Sequence, residues 1–94
     1  MNLLERSKMI TEDLVRIRRD LHQHPELSFQ ETRTANLASQ EMVSLGLKVK
    51  TGVGKTGVVA DLENGNGPVI CLRADMDALP ITEENDHEFI SKNP

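Results

Sequence analysis

Arg73, Asp75 and Asp77 follow one another at two-residue spacing within Leu72-Arg73-Ala74-Asp75-Met76-Asp77-Ala78-Leu79-Pro80. In an extended chain, side chains two apart share a face, so all three would project the same way. Two neighbouring carboxylates repel each other and favour a cation between them, either a metal ion or the Arg73 guanidinium. The apolar run ahead of them reads as a strand handing over to a loop. Open α/β sheets carry functional groups at the carboxyl ends of their strands. The same pattern also suits an ordinary strand-end loop whose acids cap backbone amides, because Asp-x-Asp is frequent in loops.

His22 and His24 form a second candidate constellation, a His-x-His pair. On a continuous helix an i, i+2 spacing puts the two on different faces. That favours His22 as a helix-end residue complementing the macrodipole, and His24 as a hydrogen-bonded polar group near the turn. His87, between Asp86 and Glu88, reads as solvated loop. Gly54-Lys55-Thr56 resembles the end of a phosphate loop. That motif needs a glycine at position 49 and a helix after the threonine, whereas Val49 stands there and strand-like sequence follows. Nucleotide binding is therefore rejected, and the glycines are assigned to a hairpin-like connection. Cys71, within an apolar run, reads as a small core residue.

The elements that would position these groups follow from periodicity. Ile10, Leu14, Ile17 and Leu21 recur at helical steps and predict an amphipathic helix ending near His24, ahead of Pro25. Its start is open between Thr11, flanked by Glu12 and Asp13, and the region of Asn2 and Leu3. Ser28 and Glu31 fit a capping box, with Leu27 as its staple, for a second helix over 29–45. Ala35, Ala38, Met42 and Leu45 would be its apolar stripe, and Gly46 its stop. Leu47, Val49 and Thr51 alternate with Lys48 and Lys50 as a half-buried strand. Glycines 52, 54 and 57 punctuate the loop around Lys55, and a second strand covers 58–62. Asn64-Gly65-Asn66-Gly67 is a turn signal. A third strand over 69–72, apolar on both faces, would be central in a sheet and form a hairpin with the second. A short extended segment is expected over 88–91. Helices followed by strands define an α/β or α+β class.

Composition sets the margins. The chain has 94 residues, a formal charge of -4 and 37% hydrophobic residues. Its only aromatics are Phe29 and Phe89, so the large rings that dominate small cores are nearly missing. A self-sufficient core would be thin at this size. One cysteine excludes an internal disulfide and fits a reducing compartment. Arg16, Arg18 and Arg19 are diluted by Glu12, Asp13 and Asp20, which argues against nucleic-acid binding. Glu5, Arg6, Ser7 and Lys8 interrupt any leader-like apolar run at the N-terminus, and no apolar stretch is long enough to span a membrane. The expectation is a cytoplasmic chain without nucleic-acid or membrane partners.

Four segments, in order, resemble one family. They are His24-Pro25-Glu26-Leu27-Ser28-Phe29; Thr51-Gly52-Val53-Gly54 leading to Thr56-Gly57-Val58-Val59-Ala60; the Arg73-to-Pro80 stretch; and Ser91-Lys92-Asn93-Pro94. Together they resemble the aminoacylase-type amidohydrolases, which include hippurate hydrolases, N-acyl-L-amino-acid amidohydrolases and plant auxin-conjugate hydrolases, within a clan of dinuclear metallopeptidases. The resemblance implies a catalytic domain with a mixed sheet flanked by helices, a smaller inserted domain that often mediates homodimerisation, and hydrolysis of N-acyl amino acids. It implies two divalent ions, Mn or Zn, that polarise the carbonyl and activate water, with a glutamate as general base.

By the same resemblance, Asp77 matches an acid that orients a metal-binding residue in the wider clan. Asp75 stands where those relatives carry the metal-binding histidine, and Arg73 would pair with these acids. The family's His-Ala-Cys-Gly-His-Asp motif, its catalytic glutamate and its later histidines do not occur in this chain, and Cys71 does not take the metal-cysteine position. The expectation is therefore that residues 1–94 form the N-terminal part of the catalytic domain, hold no metal alone and are inactive alone. Two other readings stand beside it: a non-catalytic α/β interaction module, and a small metal-binding protein using His22, His24, Asp75 and Asp77.

Overall fold

The computed structural model describes residues 2–80 and 89–92. The loop assigned to His87 and the start of the 88–91 segment lie outside the described residues. The elements run α1 (Leu3–Met9), α2 (Thr11–Gln23), α3 (Thr32–Ser44), β1 (Lys48–Val53) and β2 (Gly57–Asp61). This is the expected α/β piece, helices first and strands after. The chain divides into two compact units, Met1–Pro25 with Ile81–Pro94, and Glu26–Pro80.

In the first unit, both candidate helix starts are used. Asn2 caps α1, its side-chain oxygen accepting from the Glu5 amide at 2.9 Å. The chain leaves helical geometry at Ile10 (φ −106, ψ 8) and re-enters at Thr11. Thr11 is not the N-cap of α2; Ile10 is, with no side-chain cap. The Thr11 hydroxyl instead donates back to the Ser7 carbonyl at 3.1 Å, bridging the break. α2 ends at Gln23, and His24 is its C-cap, as the following proline requires. The Lys92 amide donates to the Gln23 carbonyl at 2.7 Å, satisfying one group of the helix end.

In the second unit, α3 starts later than the capping box implies. Phe29 has φ +64, which no helical residue adopts, and the Gln30 amide closes a turn onto the Leu27 carbonyl at 2.9 Å. Helix therefore begins at Thr32, with Glu31 as N-cap and no capping bond from its own side chain. The orphan amides are served from further upstream. The Glu26 carboxylate accepts from the Arg33 amide at 3.0 Å, the Thr34 amide at 2.6 Å and the Thr32 hydroxyl at 3.3 Å. The C-terminus is as expected. Gly46 (φ +83) donates to the Val43 carbonyl at 3.0 Å, and the Leu47 amide reaches the Met42 carbonyl at 3.2 Å. That pair of bonds is a Schellman closure.

β1 and β2 pair antiparallel, Lys48 with Asp61, Val49 with Ala60 and Lys50 with Val59, with an irregularity between Lys50 and Val53. Gly57 sits so close to the Val53 carbonyl that a Cβ there would lie 2.4 Å from its oxygen, so the register at the turn requires glycine. Val49, Val58 and Ala60 are half-buried whereas Lys48, Lys50 and Val59 are exposed, and α3 packs against both strands.

The expected third strand over 69–72 is not formed among the described residues, and the hairpin is β1–β2 instead. A strand apolar on both faces needs cover on both, and no described element supplies it. Val69, Ile70 and Leu72 are 96%, 85% and 94% exposed. Cys71 is likewise exposed rather than a core residue. Among the described residues no hydrophobic side chain is buried; only Glu31 and Thr34 are. No helix among them is long and apolar enough to cross a membrane.

Candidate functional site

Within the Glu26–Pro80 unit, three segments converge on one hollow of about 230 Å³. Phe29 and Glu31 line it from the turn before α3, Thr56 from the β1–β2 connection, and Arg73, Asp75 and Asp77 from the strand-like stretch. The three residues singled out by their spacing are thus brought together. The Arg73 guanidinium donates to the Asp75 carboxylate at 2.8 Å, so the acid's counter-charge is the arginine. Both side chains are largely exposed, at 83% and 68%, and such a pair contributes little to stability. Asp77 is exposed as well.

The hollow is held together by groups that spacing did not single out. The Ala78 amide donates to the Glu26 carbonyl at 2.7 Å, fastening the Asp77 end to the start of α3. The Thr56 hydroxyl donates to the Glu31 carboxylate, linking the β1–β2 connection to the same turn. Glu31, 5% exposed, is the one buried charged side chain among the described residues, and this bond satisfies it. Burial alone would raise the Glu26 carboxyl. The Arg33 and Thr34 amides and the Thr34 and Thr32 hydroxyls outweigh it and hold the group below its ordinary value. The capping-box signal at Glu31 marks a residue of the site rather than the reciprocal cap it predicts. For Glu26 and Thr56 no local pattern announces the role.

Two backbone features mark the rim. Phe29 (φ +64) and Lys55 (φ +88) are the non-glycine residues with positive φ among those described. They meet: the Lys55 ammonium lies over the Phe29 ring, 4.9 Å from its centroid.

The histidines belong to the other unit. His22 meets the Phe89 ring edge-on at 5.5 Å, and the Arg19 guanidinium lies 4.7 Å from the same centroid. His24 Nδ1 is 2.9 Å from the Asp20 carbonyl oxygen and 3.6 Å from its carboxylate. Among the described residues no three His, Cys, Asp or Glu side chains cluster as a metal cage. A divalent ion needs several oxygen or nitrogen donors at once. The donors here are one carboxylate held by Arg73, one held by Thr56, and Asp77. They do not fit a two-ion centre.

An α/β segment whose acid-bearing chain meets a hairpin turn and a helix entry is the class of piece these features define. The comparisons with known proteins then specify it. The chain is 51% identical over 83 residues to an N-acyl-L-amino acid amidohydrolase of Geobacillus stearothermophilus, covering 87% of this chain and 22% of that protein. It is 42% identical over 98 residues to a thermostable carboxypeptidase of Saccharolobus solfataricus (98% and 25%). It is 43% identical over 81 residues to an IAA-amino acid hydrolase of Arabidopsis thaliana (86% and 19%). No family model and no solved structure matches the chain. The chain spans a quarter or less of the length of these relatives. Over most of its length the sequence is similar to aminoacylase-type amidohydrolases, and the similarity supports an N-terminal segment of that type.

Proposed function

We propose that this chain is the N-terminal part of a hydrolase that cleaves N-acyl amino acids, releasing a carboxylate and a free amino acid, and that the chain by itself has no such activity. The observation that carries the reading is that three segments of the family resemblance, at Ser28 and Phe29, at Val53, Gly54, Thr56 and Gly57, and at 73–77, line the same hollow. Substrates of the kinds named in the relatives share one chemistry: an amide bond whose amine side is an amino acid with a free carboxylate.

In this reading Asp77 supports the reacting centre without touching the reacting atoms, Arg73 neutralises Asp75, and Glu31 and Glu26 hold the three segments in place. In the same reading two divalent ions, Mn or Zn, and the general base are supplied by other parts of the complete enzyme. The complete enzyme is a homodimer of the cytoplasm; a lone exposed thiol accords with a reducing compartment.

The test is a chimera in which residues matched in the Geobacillus amidohydrolase are replaced by this chain. Hydrolysis of N-acetyl and N-benzoyl amino acids is expected from the chimera, with a loss of about a hundredfold in kcat for D77N. No hydrolysis is expected from the purified 94-residue chain. An inactive but folded chimera, or turnover by the chain alone, would refute the reading.

A further inference from the structure

The rim of the hollow carries Lys55 and Phe29, neither of which takes part in the Arg73–Asp75 pair or the Glu31–Thr56 bond. The hollow's acids are Glu31, Asp75 and Asp77, and its lining arginine is already committed to Asp75 at 2.8 Å. Lys55 differs from Arg73. Among the described residues its ammonium meets no carboxylate, and it rests over the Phe29 ring at 4.9 Å. A cation parked on an aromatic face keeps most of its capacity to bind an anion, because the ring's quadrupole is a weaker partner than a carboxylate. Phe29 itself lines the hollow and is 62% exposed, so its ring is open to a ligand.

The backbone adds an independent observation. Phe29 and Lys55 both hold positive φ, a conformation that side-chain-bearing residues adopt at a cost. Glycine would relieve each turn, and glycines 52 and 54 do so beside Lys55. The two positions where a side chain is kept despite that cost are the two whose side chains touch at the rim. A strained pair facing each other across two turns is what a ligand clamp requires, and fastening alone could be done by the Glu31–Thr56 bond below it.

We propose that Lys55 and Phe29 are the specificity pair of this site: Lys55 leaves the ring to bind the free carboxylate of an N-acyl amino acid, and the uncovered Phe29 ring stacks on its acyl group. The hollow of about 230 Å³ lies just below the range of roughly 300–1,000 Å³ that encloses drug-sized ligands. It therefore suits a small acyl amino acid held partly at the rim. The assignment rests on the proposed hydrolase reading and adds to it which residues read the two ends of the substrate.

The experiment titrates the isotope-labelled 94-residue chain with N-benzoylglycine and with its primary amide, which lacks the carboxylate. NMR follows Phe29 and Lys55, and the Thr34 amide reports that α3 is intact. Saturable shifts at both rim residues are expected, with the amide bound about tenfold more weakly. K55Q should erase that difference and K55R should keep it. F29L should weaken N-benzoylglycine more than N-acetylglycine. Equal affinity for acid and amide, an undiminished preference in K55Q, or no saturable binding overturns the proposal. The chimera separates the two claims. If it hydrolyses N-acyl amino acids while its K55Q variant keeps the same preference for acid over amide, the hydrolase reading stands and the specificity pair falls.

Discussion

The Ala78 amide donates to the Glu26 carbonyl at 2.7 Å, and the carboxylate of the same Glu26 caps the first turn of α3. One residue therefore ties the acid-bearing stretch to the helix entry through its backbone and organises that helix through its side chain. Among the described residues Asp77 makes no hydrogen bond or ion pair, and its place beside the hollow follows from its neighbour's bond.

Glu26→Ala removes the acceptor for the Arg33 and Thr34 amides. Replacing a capping acceptor by alanine costs about 1 kcal/mol. The expected outcome is fraying of the first turn of α3, seen as faster hydrogen exchange at Arg33 and Thr34, with α2 unchanged. Unaltered exchange at those amides would show that the cap is dispensable.

Acid should produce the same fraying in the native sequence. The folded-state pKa of Glu26 lies below its ordinary value of 4.5, so the frayed state takes up a proton first. The cap's contribution is complete above the ordinary value and is lost as pH falls through the lowered folded value. An NMR pH titration should show the Thr34 amide moving with that depressed carboxyl, and the movement should be missing in Glu26→Ala. A Thr34 amide indifferent to acid would contradict the assignment.

Thr56→Val leaves the buried Glu31 carboxylate without its hydroxyl donor. An unsatisfied buried acceptor costs roughly 1–3 kcal/mol. The expected effect is loosening of the β1–β2 connection, read as accelerated amide exchange over residues 53–57, while Thr56→Ser restores protection. Equal exchange in Thr56→Val and Thr56→Ser would argue against the bond.

The 94-residue chain should melt broadly and bind a hydrophobic dye at ambient temperature. No hydrophobic side chain is fully buried among the described residues, and Val69, Ile70 and Leu72 are open to solvent. Cys71 in the same stretch should react at once with a thiol reagent without denaturant. In the chimera, where sheet partners are available, it should become protected. A sharp calorimetric transition of the isolated chain, or a sluggish thiol, would contradict this.

Much of the local structure was legible in the residues themselves. Pro25 stops α2, Gly46 closes α3, and the alternation of Val49 with Lys48 and Lys50 makes β1, because these effects act over a few bonds. The two-residue spacing of Arg73, Asp75 and Asp77 was enough to group them, since extended chain repeats every second residue. The entry of α3 departs from its local signal because the capping box assumes a cap at Ser28, whereas the donors are served by Glu26 from beyond a positive-φ turn. The segment 69–72 departs from its strand pattern for a related reason. Apolar character on both faces states what a segment needs, and only neighbours decide whether it receives it.

By itself, then, the sequence determined the order of the elements, the acid-rich stretch and, through its ordered motifs, the resemblance to the amidohydrolases. Tertiary structure alone decided that Glu31 is buried against Thr56, that Arg73 is spent on Asp75, and that Lys55 rests on Phe29. Local signals are written in consecutive residues. The Glu31–Thr56 and Phe29–Lys55 contacts join residues separated by whole elements, and they exist only because α3 and the β1–β2 hairpin pack together.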